Sequence, residues 1–316
     1  MGSPRVVLLC TARRGLLFLR KLADLLPRQA DLSVFSFRED PWEPPFFQAI
    51  QGCAAACGAR FFEGKRVQAP EFGPFWDSPE GIDLLLAVGW RYMVPPAVYE
   101  RARSGAFVFH DSLLPRYRGF SPTVWAIRNG ETQTGVTLLE MVEGVDAGAI
   151  VDQQAVHIGP TETVADVMER VTGAYLEVLE RNLPALLDGT APRRPQADDS
   201  ATYACRILPE DARIDWSRPT AEILDLIRSY TRPYPGAYTT LGGKVLRVWE
   251  ARRAGPSFVG RVPGRVADIR GGEGVVVLTG DGSLLLTKVQ LEGEDSTPAE
   301  KVLTRYSQTL GRDASA

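Results

Sequence analysis

The segment AFVFHDSLLPRYRG, residues 106–119, carries one of the two histidines of the chain, His110, between an apolar run and a turn-like Ser-Leu-Leu-Pro. In open α/β sheets, ligands bind at the loops that follow the carboxyl ends of the strands. His110 therefore stands where an acid–base catalyst would stand, because imidazole is the side chain that exchanges protons near neutral pH. A histidine at a strand end is also compatible with a structural role, so a catalytic role requires a partner.

A carboxylate that could be this partner lies in GVTLLEMVEGVDAGAIV, residues 135–151. The run predicts a strand, a loop in which Gly144 and Gly148 flank Asp146, and a further apolar segment. The two glycines permit a sharp turn or a close approach of the backbone to a ligand. Asp146 is either a turn residue that bonds its own backbone or a carboxylate that orients His110 and favours its charged form.

The elements that position these residues are predicted from four short and nearly continuous apolar runs: RVVLLC (5–10), DLSVFSF (31–37), GIDLLLAVGW (81–90) and GAFVFH (105–110). Runs of this kind are typical of strands that are buried on both faces. The sequence thus predicts an α/β fold, with a Rossmann-like, mostly parallel sheet and helices on both faces. Apolar residues at helical spacing in TVADVMERVTGAYLEVLERNLPALLDG, with Gly189 at the C-cap, predict one long closing helix.

Two domains are predicted. Residues 1–189 form the catalytic domain, and residues 190–205, rich in proline, charge and small side chains, form a linker. Residues 206–316 contain a helical stretch and several short strands separated by glycine and proline. This pattern is typical of a small open β-barrel of the OB-like type.

Composition excludes several classes of protein. With 316 residues and a formal net charge of −3, the chain lacks the overall basic field that attracts nucleic acids. No apolar run approaches the roughly 18 residues that span a bilayer, and no signal peptide is evident, so we expect a cytoplasmic protein without membrane contact. Cys53 and Cys57 lack further ligands at metal-site spacing, so we expect buried, reduced thiols and no metal.

The motifs around His110 and Asp146 resemble those of the folate-dependent formyltransferases, which carry N-x-H-x-S-L-L-P-x-[YW]-R-G, then G-x-T, then a D-x-G loop. The segment IDWSRPTAEILDLIRSYTRPYPGAYTTLGGKVLRVWEA is similar to the C-terminal domain of methionyl-tRNA formyltransferases. It is also similar to that of the formyltransferase half of the polymyxin-resistance protein ArnA. The resemblance extends from the first strand to about residue 292.

This resemblance implies that the first domain binds 10-formyltetrahydrofolate and that the enzyme passes its formyl group to a primary amine. It implies that His110 and Asp146 are catalytic, with His110 assisting proton movement and Asp146 holding either His110 or a water molecule. Two backbone loops and the wall between them would hold the folate. Their residues are Trp90, Arg91, Tyr92, Met93, Ser112, Leu113, Leu114, Pro115, Val142, Glu143, Gly144 and Val145.

One position departs from the family pattern. The family's third catalytic residue is an asparagine two positions before the histidine, where this chain has Val108. Residues i and i+2 of a strand share a face, so an isopropyl group replaces the amide that would donate to the formyl oxygen. Losing one such donor typically costs about 10²- to 10³-fold in rate.

Three interpretations of Val108 remain open. Another donor, either a backbone N–H of residues 110–113 or an ordered water molecule, replaces the amide. Alternatively, the enzyme transfers a related one-carbon or carbamoyl-like group, or uses a different acyl carrier. In the third, the protein is a non-catalytic folate- or ligand-binding paralogue.

The charge of the C-terminal part bears on the acceptor. From Cys205 onward, 16 Lys and Arg face 14 Asp and Glu, a weak excess for binding the phosphates of tRNA. The ArnA-like tail favours a small amine instead, above all an amino sugar or sugar nucleotide. Thr11, Arg13 and Arg14 lie between the first strand and the first helix, where they either bind a substrate phosphate or are solvated. We expect a monomer or a homodimer.

Overall fold

A seven-stranded sheet forms the centre of the N-terminal part of the chain in the computed structural model, which describes residues 3–41, 43–255 and 257–312. Its strands are β1 (Arg5–Cys10), β2 (Asp31–Ser36), β3 (Arg60–Glu63), β4 (Ile82–Val88), β5 (Ala102–His110), β7 (Gln133–Glu140) and β8 (Ile150–His157). Their order across the sheet is β3-β2-β1-β4-β5-β7-β8. The first five are parallel, whereas β7 is antiparallel to both β5 and β8. The predicted mostly parallel sheet is confirmed.

Helices cover both faces of this sheet. The helices of the N-terminal half and the long helix that follows are α1 (Ala12–Leu25), α2 (Phe47–Ala56), α3 (Gly73–Trp76), α4 (Pro96–Tyr99), α5 (Pro122–Arg128) and α6 (Val164–Leu187). On one face, Phe109 packs between Phe18 of α1 and Tyr175 of α6. On the opposite face, Phe35 stacks on Trp76 of α3. The central strands β1, β2 and β4 are almost entirely buried because helices shield both faces there, whereas the edge strands β3 and β8 carry charged and polar side chains that are partly exposed.

The first helix lies close to its strand at Gly15. A Cβ atom at this position would come within 3.0 Å of the Cβ atom of Cys10, so a glycine permits the close packing of α1 on β1. The sheet order reverses between β1 and β4, since β2 and β3 lie on one side of β1 and β5 lies beyond β4. The carboxyl ends of these strands therefore border the crevice in which open α/β sheets bind ligands.

The C-terminal part contains an antiparallel sheet and the α-helix α7 (Thr220–Ser229). The strands are β10 (Ala237–Leu241), β11 (Lys244–Arg253), β12 (Val266–Arg270), β13 (Gly274–Leu278), β14 (Ser283–Leu291) and β15 (Thr297–Pro298). Their order is β10-β11-β14-β13-β12, and β15 pairs with β14. The inner face packs against α7 through residues such as Ile223, Val248 and Leu286. The predicted C-terminal β domain is confirmed.

Two compact units account for the chain, the first within residues 1–122, 133–157 and 168–205 and the second within 123–132, 158–167 and 206–316. Residues 190–205 are hydrogen-bonded along the first unit. Arg194 and Ile150 exchange two backbone hydrogen bonds of 2.8 and 2.9 Å. Farther on, β9 (Tyr203–Ala204) pairs in parallel with β6 (Arg118–Gly119).

The two cysteines of α2 and its C-cap differ in exposure. Cys53 is half-buried and Cys57 is exposed, so the expectation that both thiols would be buried is wrong for Cys57, which follows the last turn of α2.

Within the described ranges, no helix is both long enough and apolar enough to cross a membrane.

Candidate functional site

His110 ends β5 and is almost entirely buried, with both ring nitrogens in contact with protein atoms. Nε2 lies 2.8 Å from the carbonyl oxygen of Tyr117, and Nδ1 lies 3.4 Å from Oδ2 of Asp146. A carbonyl oxygen only accepts, so Nε2 carries a proton and donates it to Tyr117. The contact between Nδ1 and a carboxylate is attractive only when Nδ1 is also protonated. The two contacts hold the imidazole ring between a backbone carbonyl oxygen and a carboxylate.

Asp146 is held in an unusual backbone conformation in the loop between β7 and β8. Its φ of 48° lies in the left-handed region, which residues other than glycine rarely adopt. Its Oδ2 accepts a 2.7 Å hydrogen bond from the backbone N–H of Gly119. Two residues later, a Cβ atom at Gly148 would lie 1.8 Å from the carbonyl oxygen of Glu140, so only glycine fits there. The glycine of the D-x-G motif thus lets this loop close against β7.

Ser112, Leu113, Leu114 and Pro115 build the turn that follows His110. The Ser112 hydroxyl is buried and donates to the carbonyl of Arg116 at 2.8 Å. Leu114 is buried in a cluster with Leu139 and Ile150, and its peptide bond to Pro115 is cis. These side chains shape the turn from within the protein.

The two loops predicted to hold the pterin differ in their surroundings. Tyr92 and Met93 are exposed, whereas the indole N–H of Trp90 is buried without a hydrogen-bond partner among the described residues. The Arg91 guanidinium donates to both carboxylate oxygens of Glu43, at 2.8 and 3.0 Å.

In the second loop, Val142 is half-buried, and Glu143, Gly144 and Val145 are exposed. The exposed backbone of this loop and the unpaired indole N–H are compatible with a ligand that has hydrogen-bonding edges.

Val108 lies on the same face of β5 as His110. It is half-buried and packs against Leu114, Leu139 and Ile150. In the sheet register it pairs with Ala87 of β4 and Leu139 of β7. All of these neighbours are apolar side chains, so the position is part of a small hydrophobic cluster that has a partly exposed edge.

The residues after β1 are engaged within the protein. The Thr11 hydroxyl is buried and donates to the carbonyl oxygen of Gly89 at 2.8 Å. Arg13 forms a two-pronged ion pair with Glu169 at the surface. Arg14 was predicted either to meet a substrate phosphate or to be solvated. Its guanidinium is instead largely buried, with Nη1 2.9 Å from Oδ2 of Asp111.

Asp111 belongs to a half-buried polar cluster that the sequence pattern does not predict. It follows His110 directly, and its carboxylate also accepts a 2.8 Å hydrogen bond from the Tyr175 hydroxyl. Burial alone would raise the pKa of Asp111, but the positive charges of Arg14 and His110 bring that pKa below its ordinary value. The Arg14 guanidinium also stacks 4.5 Å from the Tyr175 ring centroid. Only the adjacency of Asp111 to His110 could have drawn attention to it.

The site is built from protein side chains and backbone without an evident metal centre. No group of three or more His, Cys, Asp and Glu side chains within the described ranges is placed to hold a metal ion. His110 and Asp146 form an imidazole–carboxylate pair at the carboxyl end of β5, an arrangement that can donate and accept protons.

Comparison with known families gives the class of the protein. The family described as "Formyl transferase" matches residues 63–183, and "Formyl transferase, C-terminal domain" matches residues 206–307. A methionyl-tRNA formyltransferase of Sorangium cellulosum (strain So ce56) is 36% identical over 259 residues, which are 82% of this chain and 82% of that protein. The chain belongs to the folate-dependent formyltransferase family and is a folate-dependent N-formyltransferase.

Solved structures share the fold at low sequence identity. HypX from Aquifex aeolicus, in complex with tetrahydrofolic acid, superposes with a TM-score of 0.65 and 22% identity over 96% of this chain. The match covers 47% of HypX, so this chain spans about half of that protein. The N-formyltransferase from Helicobacter canadensis, in complex with folinic acid and dTDP-3-aminofucose, gives a TM-score of 0.65 and 16% identity, covering 90% of this chain and 98% of that chain.

Proposed function

We propose that this enzyme transfers the formyl group of 10-formyltetrahydrofolate to the primary amine of an amino sugar or sugar nucleotide. The observation that carries the catalytic assignment is the 3.4 Å contact between Nδ1 of His110 and Oδ2 of Asp146. The near balance of charge in the C-terminal part supports a small acceptor, since binding tRNA requires several phosphate contacts. The amino-sugar complex of the Helicobacter canadensis enzyme shows that a protein of this fold accommodates such a molecule.

His110 and Asp146 would donate and accept the protons that move during the reaction. The attacking amine must lose a proton as it bonds to the formyl carbon, and the folate nitrogen that leaves must gain one. Asp146, whose carboxylate is fixed by the Gly119 N–H, is the group suited to take the first proton, directly or through water. His110 is the group suited to supply the proton that the leaving folate nitrogen gains.

Because the side chain of Val108 cannot donate a hydrogen bond, another group would have to donate to the formyl oxygen. The hydrophobic cluster around Val108 contains no side-chain donor, so we favour a backbone N–H of residues 110–113 or an ordered water molecule. Trp90 and the residues of the exposed loop, Val142 to Val145, would hold the pterin, and the partly exposed Arg91 would border it.

Methionyl-tRNA is the second candidate acceptor. It is favoured by the relative from Sorangium cellulosum and by the match to the C-terminal domain of the family. The two candidates differ in charge and size, so salt dependence separates them. Formylation of tRNA should weaken steeply with ionic strength, because phosphate contacts release counterions, whereas formylation of a sugar should weaken little.

The test is a panel of acceptors with purified protein and 10-formyltetrahydrofolate, monitored by product mass and folate absorbance. We expect formylation of amino sugar nucleotides and none of methionyl-tRNA. If methionyl-tRNA is the only member of the panel that is formylated, the acceptor is methionyl-tRNA and the amino sugar proposal is refuted. Folate release without a formylated amine would indicate hydrolysis, and folate binding without turnover would indicate the non-catalytic paralogue.

A further inference from the structure

Gln196, in the segment between the two predicted domains, connects a buried arginine to the loop of Asp146. Its Nε2 donates to the carbonyl oxygens of Asp146 and Gly148, at 2.8 and 2.7 Å. Its Oε1 accepts from Nε and Nη2 of Arg118, at 3.1 and 2.8 Å. The amide group of Gln196 therefore forms four hydrogen bonds, two with the loop of Asp146 and two with Arg118.

We propose that Gln196 is a positioning residue for the catalytic carboxylate. Asp146 has a left-handed backbone conformation that its residue type does not favour, so neighbouring atoms must stabilise it. The two carbonyl groups bound by Gln196 belong to the peptides at Asp146 and Gly148, on which the direction of the carboxylate depends. Without both donors, the loop would be free to relax to a conformation that moves Oδ2 away from His110.

The hydrogen bonds form a closed ring around the catalytic carboxylate. Arg118 holds Gln196, Gln196 holds the backbone of Asp146, and Oδ2 of Asp146 accepts from the N–H of Gly119. Arg118 and Gly119 are consecutive in the chain, so the ring returns to its start. Arg118 is 2% exposed and also donates to the exposed carboxylate of Asp198 at 2.7 Å, so its guanidinium is held by a second partner besides Gln196.

The arrangement requires an amide. A guanidinium group only donates and a carbonyl oxygen only accepts, so the residue between them must present an oxygen on one side and N–H groups on the other. Glutamate would retain an oxygen for Arg118 but would direct a second oxygen at two carbonyl oxygens. Methionine has a similar length and supplies neither group. These two substitutions therefore separate the contact with Arg118 from the contact with the loop.

The experiment compares Gln196→Glu and Gln196→Met with a control, Asp199→Asn, an exposed substitution in the same segment. We expect both Gln196 variants to lower kcat about 10- to 100-fold, because small misplacements of a catalytic group cost this much. The KM for 10-formyltetrahydrofolate should change by less than about twofold, as expected for a group that acts in the transition state. The melting temperature of Gln196→Glu should stay within about 3 °C of wild type, because its pairing with Arg118 persists.

A structural readout accompanies the kinetics and needs no acceptor. Backbone amides of residues 142–148 should exchange hydrogen about tenfold faster or more in both Gln196 variants, and at the wild-type rate in Asp199→Asn. Normal kcat in both variants, or unchanged exchange in this loop, would overturn the inference.

The inference rests on the proposed role of Asp146, so Asp146→Asn is measured in parallel. An inactive Asp146→Asn beside fully active Gln196 variants would refute the role of Gln196 alone. A fully active Asp146→Asn would refute the catalytic assignment instead, and faster exchange would then show only that Gln196 holds the loop. In that case the proposal for Gln196 as a positioning residue would fail with it.

Discussion

Substitution of Val108 by asparagine would restore an amide on the face of β5 that carries His110. Two residues along a strand span about 6.7 Å, so the new amide would face the region in front of the imidazole ring. A single oxyanion donor contributes about 2.7–4 kcal/mol to transition-state stabilisation in well-formed sites. We expect a smaller gain here, about tenfold in kcat, because the surrounding residues have adapted to valine.

The same change removes apolar contacts with Leu114, Leu139 and Ile150. Val108 is only half-buried, so the loss of stability should be about 1–2 kcal/mol, less than the cost of replacing a fully buried valine. At this chain length, such a loss lowers the melting temperature by several degrees, roughly 2–4 °C per kcal/mol. The enzyme should therefore remain folded at 25 °C, and activity and stability should change in opposite directions.

Val108→Ala is the matched control, since it removes the same contacts without adding an amide. The assay is the steady-state rate of formyl transfer to the acceptor identified in the panel, with the melting temperature measured on the same preparations. We expect Val108→Asn to exceed both wild type and Val108→Ala in kcat. If kcat of Val108→Asn falls below that of Val108→Ala, an amide at this position does not donate to the formyl oxygen, and the expected gain is refuted.

Three further changes address other parts of the site. Asp146→Asn keeps the shape of the side chain but removes its charge, so kcat should fall about 10²- to 10⁴-fold while calorimetry gives an unchanged Kd for folate. Arg14→Met leaves the half-buried Asp111 without its cation and should destabilise the protein by about 1–3 kcal/mol in urea, with part of the loss recovered by adding Asp111→Asn; a loss below about 0.5 kcal/mol would contradict a stabilising ion pair. The pKa of Asp111 is lowered in the folded protein, so ionised Asp111 stabilises the fold at pH values above its ordinary pKa of 3.8. This stabilisation is lost as the pH falls from 3.8 through the lower pKa of the folded protein. The free energy of unfolding of Arg14→Met should therefore depend less on pH in that acidic range. Gly148→Ala should abolish activity and lower the melting temperature, because the new Cβ atom would overlap the carbonyl oxygen of Glu140. Gly173→Ala in α6 is the control: its new Cβ atom would meet no neighbouring group within 4 Å, so it should stabilise the helix slightly.

The sequence was sufficient to predict most strands of the parallel part of the sheet. Continuous apolar runs identify strands buried on both faces, and the strands β1, β2, β4 and β5 follow those runs closely. Residue types and positions pointed to His110 and Asp146, the resemblance to a known family implied their catalytic roles, and the structure brings Nδ1 of His110 to 3.4 Å from Oδ2 of Asp146.

Polar contacts between distant segments could not be predicted in the same way. Hydrophobic periodicity reports which face of an element is buried, but not which polar side chains meet there. Arg14 was interpreted as a surface or phosphate-binding residue, although its guanidinium is buried against Asp111, far along the chain. Gln196 lies in a segment whose proline and charge indicate a linker, yet its amide bonds with Arg118 and the Asp146 loop. The charged and polar residues of that segment pair with the first unit, and composition cannot distinguish such pairing from solvation.

The conformation of Asp146 favours catalysis over simple binding. A left-handed backbone at a residue other than glycine costs of order 1–3 kcal/mol, and neighbouring contacts must offset this cost. Here the offset comes from the Gly119 N–H on the carboxylate and from Gln196 on the backbone. A protein that only bound folate would have no physical need to hold a strained carboxylate against a buried imidazole. The pair therefore supports our proposal that His110 and Asp146 move protons in an active enzyme, in which a donor other than residue 108 stabilises the formyl oxygen.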